Sequence, residues 1–192
     1  MPNPSPPVAV DVLARAKCGD RAAHAELYVL FAGPVFTLAR RMLASKVLAE
    51  DVLQETFVEV LCKIERFRGD AEIGTWIKRI AINKCLMHLR SAWVSRRRPE
   101  GDEPVGEEPS GVLDQQMALA RALDRVPDVA RAVVWLHDVE GYTHAEIGRC
   151  MGRTASFSKS QLARAHERLR SLLEGVEGES ETSLCTTVLK TC

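Results

Sequence analysis

The sequence predicts an all-α protein made of two small helical domains joined by an acidic, flexible linker. Apolar residues recur at helical spacing through residues 20–95 and again through 114–174, and in the first stretch no strand pattern competes. Residues 96–113 separate them, with many prolines, glycines and acidic side chains and too few apolar residues to pack. We expect residues 1–19 to be an N-terminal segment and residues 175–192, which lack a clear period, to be a flexible tail.

Charge is distributed in blocks along this chain. The formal net charge is zero, yet the stretch from Trp76 to Arg98 holds seven basic residues and no acidic one, and that from Pro99 to Asp114 holds six acidic residues and no basic one. The neutral total is therefore compatible with strongly basic local surfaces. The sequence shows no apolar run of bilayer length and no signal peptide, so we expect a cytoplasmic protein without membrane insertion.

Neither a disulfide framework nor a metal site is predicted. The six cysteines are scattered without a CxxC pair, and most are expected to be small core residues. Cys185 and Cys192 in the tail lack the spacing of metal ligands. The histidines are expected to be isolated surface or boundary residues: His24, His88, His137, His144 and His166. No nucleophile, base and orienting group form a recognisable set, so we expect no enzyme and no cofactor.

Three helices are predicted in the first domain. Asp20 is the N-cap of the first helix, which runs to about Met42. The second helix spans about residues 50–65 and the third about residues 75–91, with residues 66–70 as the loop between them. The domain therefore has the make-up of a three- or four-helix unit.

The second of these helices has an apolar face and an acidic face. The buried stripe is predicted to consist of Leu53, Phe57, Val60 and Ile64. The opposite face presents Asp51, Glu55 and Glu59, with Val52 exposed beside them. An acidic stripe edged by an exposed valine favours a basic protein partner over DNA, and a solvated charged face is the alternative.

The third helix carries more apolar residues than one core face needs. Its core stripe is predicted to be Ile82, Cys85, Leu86 and Leu89. On the other side lie Trp76, Ile80 and Met87, together with Asn83 and Lys84. An exposed aromatic ring among basic and amide groups is typical of a surface that stacks on an unpaired base. The alternative is that Trp76 packs against the first helix.

The second domain contains a predicted helix-turn-helix. Thr143 followed by Glu146 indicates a capping box, Gly152 supplies the turn, and Thr154 caps the second helix. That helix is expected to bury Leu162, Ala165, Leu169 and Leu172, and to expose Ser156, Ser160, Ala163, Arg164 and Glu167. Small and basic residues on the outer face are typical of DNA reading. An ordinary helical hairpin with a basic face is the alternative.

Several motifs occur in a fixed order along the chain. They are residues 49–57 (AEDVLQETF), residues 67–70 (FRGD) and residues 75–83 (TWIKRIAIN), followed by the acidic linker and the helix-turn-helix. Together they resemble the extracytoplasmic-function group of bacterial RNA polymerase sigma factors, within the sigma-70 family. The resemblance implies that the first domain is region 2, which binds core polymerase and opens the minus-10 element, and that the second is region 4, which reads the minus-35 element.

The resemblance also implies which side chains meet each partner. The clamp of the largest polymerase subunit would be met by Asp51, Gln54 and Glu55, and the acidic stripe extends this set to Glu59. The minus-10 DNA would be contacted by Phe67, Arg68, Trp76, Lys78, Arg79, Asn83, Lys84 and Arg90, with residues 67–70 holding a flipped base. The minus-35 DNA would be contacted by Arg153, Ser156, Lys159, Ser160 and Arg164.

One departure from the family lies at the start of the second helix of the helix-turn-helix. Residues 156–158 are Ser-Phe-Ser, where the family more often has Gly-Thr-Val. This change places polar Ser158 on the core side and turns Phe157 outward, either onto a thymine methyl or back onto the preceding helix.

The expected function is therefore that of an alternative sigma factor, with core RNA polymerase and promoter DNA as partners. A stand-alone helix-turn-helix regulator that binds a duplex operator is the alternative, and a purely protein-binding member of the family is a third. Family members are commonly held inactive by an anti-sigma factor, although no residue of this sequence identifies one.

Overall fold

A computed structural model describes residues 6, 8–95 and 115–174 of the chain. Every regular element in these ranges is helical, which confirms the all-α prediction. The described residues divide into two compact units, one ending at Leu89 and the other beginning at Arg90. The linker and tail predicted from the sequence lie outside the described residues.

The first unit contains the four helices nearest the N-terminus. They are α1 (Val10–Lys17), α2 (Arg21–Leu43), α3 (Lys46–Lys63) and α4 (Ile73–Ser95), which continues past Leu89, and a 3-10 turn (Ile64–Arg66) follows α3. Asp20 caps α2 as predicted, because its Oδ1 accepts hydrogen bonds from the amides of Ala22 and Ala23 at 2.8 and 3.4 Å. Helix α3 begins earlier than predicted, since Ser45 Oγ accepts from the Leu48 amide at 3.3 Å and acts as its N-cap.

Helix α1 was not predicted from the sequence. It is short, and it buries little beyond Val12 and Ala16, so its apolar period is too brief to recognise. Two contacts fix it to α2: a ring nitrogen of His24 donates to the Ala16 carbonyl at 2.8 Å, and Arg15 pairs with Glu26 at 2.8 Å. The segment predicted at residues 1–19 therefore contributes a helix to the first unit.

Two positions predicted to be exposed are buried. Val52 is 0% exposed, because the face of α3 that packs on α2 is wider than one stripe and also buries Thr56. Ile80 of α4 is buried as well, whereas Met87 is exposed as predicted. The predicted core residues of α4 are all buried: Ile82, Cys85, Leu86 and Leu89.

Helix α2 is the one helix among the described residues that is long and apolar enough to cross a membrane, although no apolar run of bilayer length was predicted from the sequence. In the structure it is a core helix. Eight of its residues are buried, it packs against α1 and α3, and its Tyr28 ring meets the Phe57 ring at 4.7 Å. This packing accounts for its apolar composition.

In the second unit, shorter helices pack against one long helix. Its elements are α5 (Gln115–Asp124), α6 (Asp128–Val134), a π-helical turn (Trp135–Val139), α7 (His144–Met151) and α8 (Ala155–Glu174). Helix α8 packs against α5, α6 and α7, and it buries Leu162, Ala165 and Leu169 as predicted. Arg131 of α6 is buried, and its guanidinium donates to the Val126 carbonyl at 2.9 Å and to Asp128 at 2.8 Å.

Candidate functional site

The acidic surface of α3 divides into an outward part and an inward part. Asp51, Gln54 and Glu55 are exposed, as predicted. Glu59 turns towards α4 instead, and its carboxylate pairs with Lys63 at 2.7 Å and with Lys84 at 3.0 Å. The last member of the predicted polymerase-facing stripe is therefore already paired within the first unit.

Ion pairs join α3 to α4 at this point. Besides Glu59, Glu55 lies 3.8 Å from Lys84 Nζ and 3.4 Å from His88 Nε2. Hydrogen bonds from Lys63 and Lys84 lower the pKa of Glu59, and the bond to Glu59 raises the pKa of Lys84. We call Glu55, Glu59, Lys63, Lys84 and His88 the α3–α4 ion-pair cluster. It links one predicted DNA contact, Lys84, to two predicted polymerase contacts.

The predicted base-capturing loop begins at a covered aromatic ring. Phe67 is only 7% exposed, and its ring centroid lies 5.3 Å from that of Trp76. Trp76 is half-buried, and the ring contact the structure records for it is with Phe67. The Phe67 ring is therefore buried where the loop begins, whereas part of the Trp76 ring is exposed to solvent.

The remaining predicted minus-10 contacts lie on the surface to different extents. Exposed side chains are those of Arg68, Arg79, Asn83 and Arg90, whereas Lys78 and Lys84 are half-buried. Arg68 pairs with Asp70 at 3.1 Å across the loop. Asn83, Arg79 and Arg90 are thus exposed polar groups of α4.

The turn of the helix-turn-helix is tightly built. Thr143 and Glu146 form the predicted capping box, with bonds of 2.8 and 3.3 Å. Gly152 ends α7 with a φ of +64°, the left-handed conformation that glycine adopts without strain. At Gly148 the chain approaches itself closely, since an added Cβ would lie 2.8 Å from the Thr154 carbonyl carbon.

The outer face of α8 matches the predicted DNA-reading face. Ser156, Lys159, Ser160 and Arg164 are exposed, as is Arg153 in the turn. Phe157 is half-buried, and the Arg153 guanidinium lies over its ring at 5.8 Å. The ring therefore contacts a cation of the turn, and the two sequence interpretations of Phe157 stay predictions.

In the second unit two histidines bond to one carboxylate and a third stacks on one of them, so the prediction that these histidines are isolated was wrong. Asp138 accepts from His137 and His166 at 2.7 Å each, and the His137 ring stacks on the His144 ring at 4.5 Å. Burial would raise the pKa of Asp138, but the bonds from His166 and His137 outweigh it and lower that pKa. The polar Ser158 is fully buried, and His144 Nδ1 lies 3.1 Å from its Oγ.

The cysteines are less buried than predicted. Cys18 and Cys62 are exposed and Cys150 is half-buried. Cys85 is in the core, where burial raises the pKa of its thiol to about 12 and keeps it protonated. Within the described ranges, no group of three or more His, Cys, Asp or Glu side chains is placed to hold a metal ion.

Comparison with known proteins matches both units to one family. Residues 27–94 match Sigma-70 region 2, and residues 116–169 match Sigma-70 region 4. The ECF RNA polymerase sigma factor SigM of Mycobacterium tuberculosis strain H37Rv is 34% identical over 163 residues, which cover 85% of this chain and 83% of SigM. The ECF RNA polymerase sigma factor SigE of Mycolicibacterium smegmatis is 32% identical over 176 residues, covering 86% of this chain and 68% of SigE.

A solved structure shares the fold. The sigma factor RpoE from Bartonella quintana, in complex with the anti-sigma factor NepR, aligns with a TM-score of 0.52 at 21% identity. The alignment covers 78% of this chain and 96% of RpoE.

Proposed function

The chain belongs to the extracytoplasmic-function group of sigma-70 factors. On this basis we propose which of its surfaces binds core polymerase, which opens the minus-10 element and which reads the minus-35 element in promoter-specific initiation. It is an alternative sigma factor of RNA polymerase, with core enzyme and promoter DNA as its partners. The observation that carries this conclusion is that region 2 and region 4 occur in order within one chain. A stand-alone operator-binding regulator is not favoured, because region 2 would have no purpose in it.

Core polymerase binding is assigned to α3. Asp51, Gln54 and Glu55 are exposed on one helix and carry two negative charges towards solvent, which suits the basic helices of a polymerase clamp. Glu59 is half-exposed and shared with two lysines. We assign it to the margin of this surface, where it also orients Lys84.

Strand capture at minus-10 is assigned to residues 67–70 and to α4. Removing a base from the stack costs only a few kcal/mol, so a loop that holds the base can keep the strands apart. Asn83, Arg79 and the open part of Trp76 supply an amide, a cation and an aromatic edge. Lys78, Arg90 and Arg68 would add contacts to phosphate.

Recognition of minus-35 is assigned to the outer face of α8 and the turn before it. Lys159 and Arg164 are long exposed cations that can reach guanine edges in the major groove. Ser156 and Ser160 lie on the same face and can approach bases or phosphates, and Arg153 stands beside them in the turn. The arrangement agrees with the docking of a helix-turn-helix on duplex DNA.

The cellular setting follows from this function. A polymerase subunit acts where the chromosome is, so we assign the protein to the cytoplasm and assign it no catalytic activity of its own. RpoE of Bartonella quintana was solved with an anti-sigma factor. By this likeness, an anti-sigma protein is a further proposed partner.

The assignment is tested by comparing the free protein with the holoenzyme. Two small modules and zero net charge provide little long-range attraction to DNA, so purified protein should give no sequence-specific shift of promoter duplex at physiological salt. Core enzyme should produce specific initiation, because it holds both modules at a fixed separation and raises their effective concentration. Changing the spacer between the promoter elements by a few base pairs should then abolish initiation. Tight binding to a palindromic duplex without polymerase would instead establish the regulator.

Asn83→Ala is expected to impair promoter opening more than promoter binding. The side chain is exposed on α4, where substitutions seldom cost much stability, so the expected loss is that of a DNA contact. Opening is measured by permanganate reactivity of thymines near minus-10, and closed-complex binding by filter retention at low temperature. Thr37→Ala, on the exposed side of α2, is the matched control and should change neither. Equal loss of opening and binding would remove Asn83 from the capture surface.

A further inference from the structure

Helix α1 brings a cation to the loop assigned to base capture. Lys17 is the last residue of α1, and its Nζ lies 5.4 Å from the centroid of the Phe67 ring. Phe67 is the first residue of the loop at 67–70. Lys17 is thus a neighbour of the capture site even though the two are far apart in sequence.

The position of Lys17 is fixed by the packing of α1. Val12 and Ala16 are buried against the rest of the first unit. Arg15, two residues before Lys17, pairs with Asp20 at 3.2 Å and with Glu26 at 2.8 Å. Helix α1 also packs against the 3-10 turn that leads into the loop. The cation is therefore presented by an anchored helix.

The ammonium of Lys17 has no anionic partner among the described residues. Across the part of the chain that the structure describes, no carboxylate lies within ion-pair distance of its ammonium. Two cations of the proposed minus-10 surface differ in this respect, since Arg68 pairs with Asp70 at 3.1 Å and Lys84 pairs with Glu59 at 3.0 Å. Lys17 is also half-exposed, so its ammonium can meet an anion from outside.

The covered Phe67 ring gives Lys17 a distinct role. Because the ring is 7% exposed and lies against Trp76, it offers little face on which a base could stack. It can hold the aliphatic stem and ammonium of Lys17 through a cation–π contact, which limits the conformations of the side chain. A preorganised cation beside a loop that receives an extruded nucleotide is suited to that nucleotide's phosphate.

We propose that Lys17 is a DNA-binding residue of the capture site, whose ammonium binds a backbone phosphate of the melted minus-10 strand while Phe67 holds it in place. This inference rests on the proposed function of the first unit. It adds α1 to the DNA surface, which the sequence confined to residues 67–90.

The test uses full-length Lys17→Gln assembled with core enzyme before DNA is added. Open-complex formation on a fluorescent promoter is measured across a series of salt concentrations. Loss of one phosphate contact should weaken binding about fivefold near physiological salt and lower the slope of log K against log salt by about one. Lys17→Arg, which keeps the charge, should restore the slope.

Lys46→Gln is the matched control. It removes the same charge from an exposed lysine of α3, which lies 3.9 Å from Glu50, and it should leave the slope unchanged. If Lys17→Gln keeps the wild-type slope and only lowers the melting temperature, Lys17 merely covers Phe67 and the inference is overturned. If the wild-type holoenzyme opens no promoter, the proposed function itself fails, and that result is visible before any variant is made.

Discussion

Reversing the charges of Asp51 and Glu55 to lysine is expected to lower affinity for core RNA polymerase by about 100-fold or more. Both carboxylates are exposed on α3, and lysines there would face a basic clamp surface with like charge. The fold should persist, because substitutions on a solvent face seldom cost much stability. The affinity is measured with labelled core enzyme by fluorescence anisotropy, and the fold by circular dichroism.

The substitutions Asp51→Lys and Glu55→Lys differ in their expected effect on the stability of the first unit. Glu55 lies near Lys84 and His88, so a lysine at this position also places like charges in the α3–α4 ion-pair cluster. Asp51→Lys alone is the cleaner variant. Glu65→Lys, an identical reversal at an exposed carboxylate of the 3-10 turn, serves as the control and should bind core normally. Wild-type affinity in the double variant would remove α3 from the polymerase interface.

Gly148→Ala is expected to destabilise the second unit by about 1–3 kcal/mol and to abolish dependence on the minus-35 element. The new Cβ would lie 2.8 Å from the Thr154 carbonyl carbon and 2.9 Å from the Arg153 carbonyl oxygen. Both obstacles are backbone atoms, so α7 and α8 must separate to make room. Thermal unfolding of the purified chain and transcription from promoters with and without a minus-35 element measure the two effects.

Gly33→Ala provides the comparison for this variant. It also adds a methyl group to a helix, but nothing lies within 4 Å of the new Cβ, so stability should stay level or rise slightly. An unchanged unfolding curve for Gly148→Ala would mean that the turn accommodates the added methyl group without loss of stability. Promoter selectivity should then be unaffected as well.

Signals between residues that are close in the sequence were sufficient to predict the capped helices. The Asp20 cap, the Thr143–Glu146 capping box and the Gly152 turn each depend on residues that are close in the chain, and all were confirmed. The outer face of α8 also follows from helical period alone. The assignment of that face to minus-35 bases stays a prediction.

Features that depend on packing between distant residues were missed or predicted wrongly. Val52 was predicted to be exposed because a single apolar stripe was taken as the whole buried face of α3, but α2 covers a wider face of that helix. His166 meets Asp138 across 28 positions of sequence, and no spacing rule connects them. The burial of the Phe67 ring likewise depends on contacts with Lys17 of α1 and Trp76 of α4.

The α3–α4 ion-pair cluster has a thermodynamic consequence. Glu55 shares Lys84 with Glu59, so a clamp that draws Glu55 away leaves Lys84 with one anion fewer and more available to a phosphate. Reciprocity then requires that a DNA strand which engages Lys84 makes Glu55 more available to the clamp by the same free energy. Since a partly exposed ion pair contributes at most about 1 kcal/mol, the effect is limited to about fivefold. Within that limit, we expect binding of the clamp to Glu55 and binding of the promoter to Lys84 to be positively cooperative, because both act on the same ion pair.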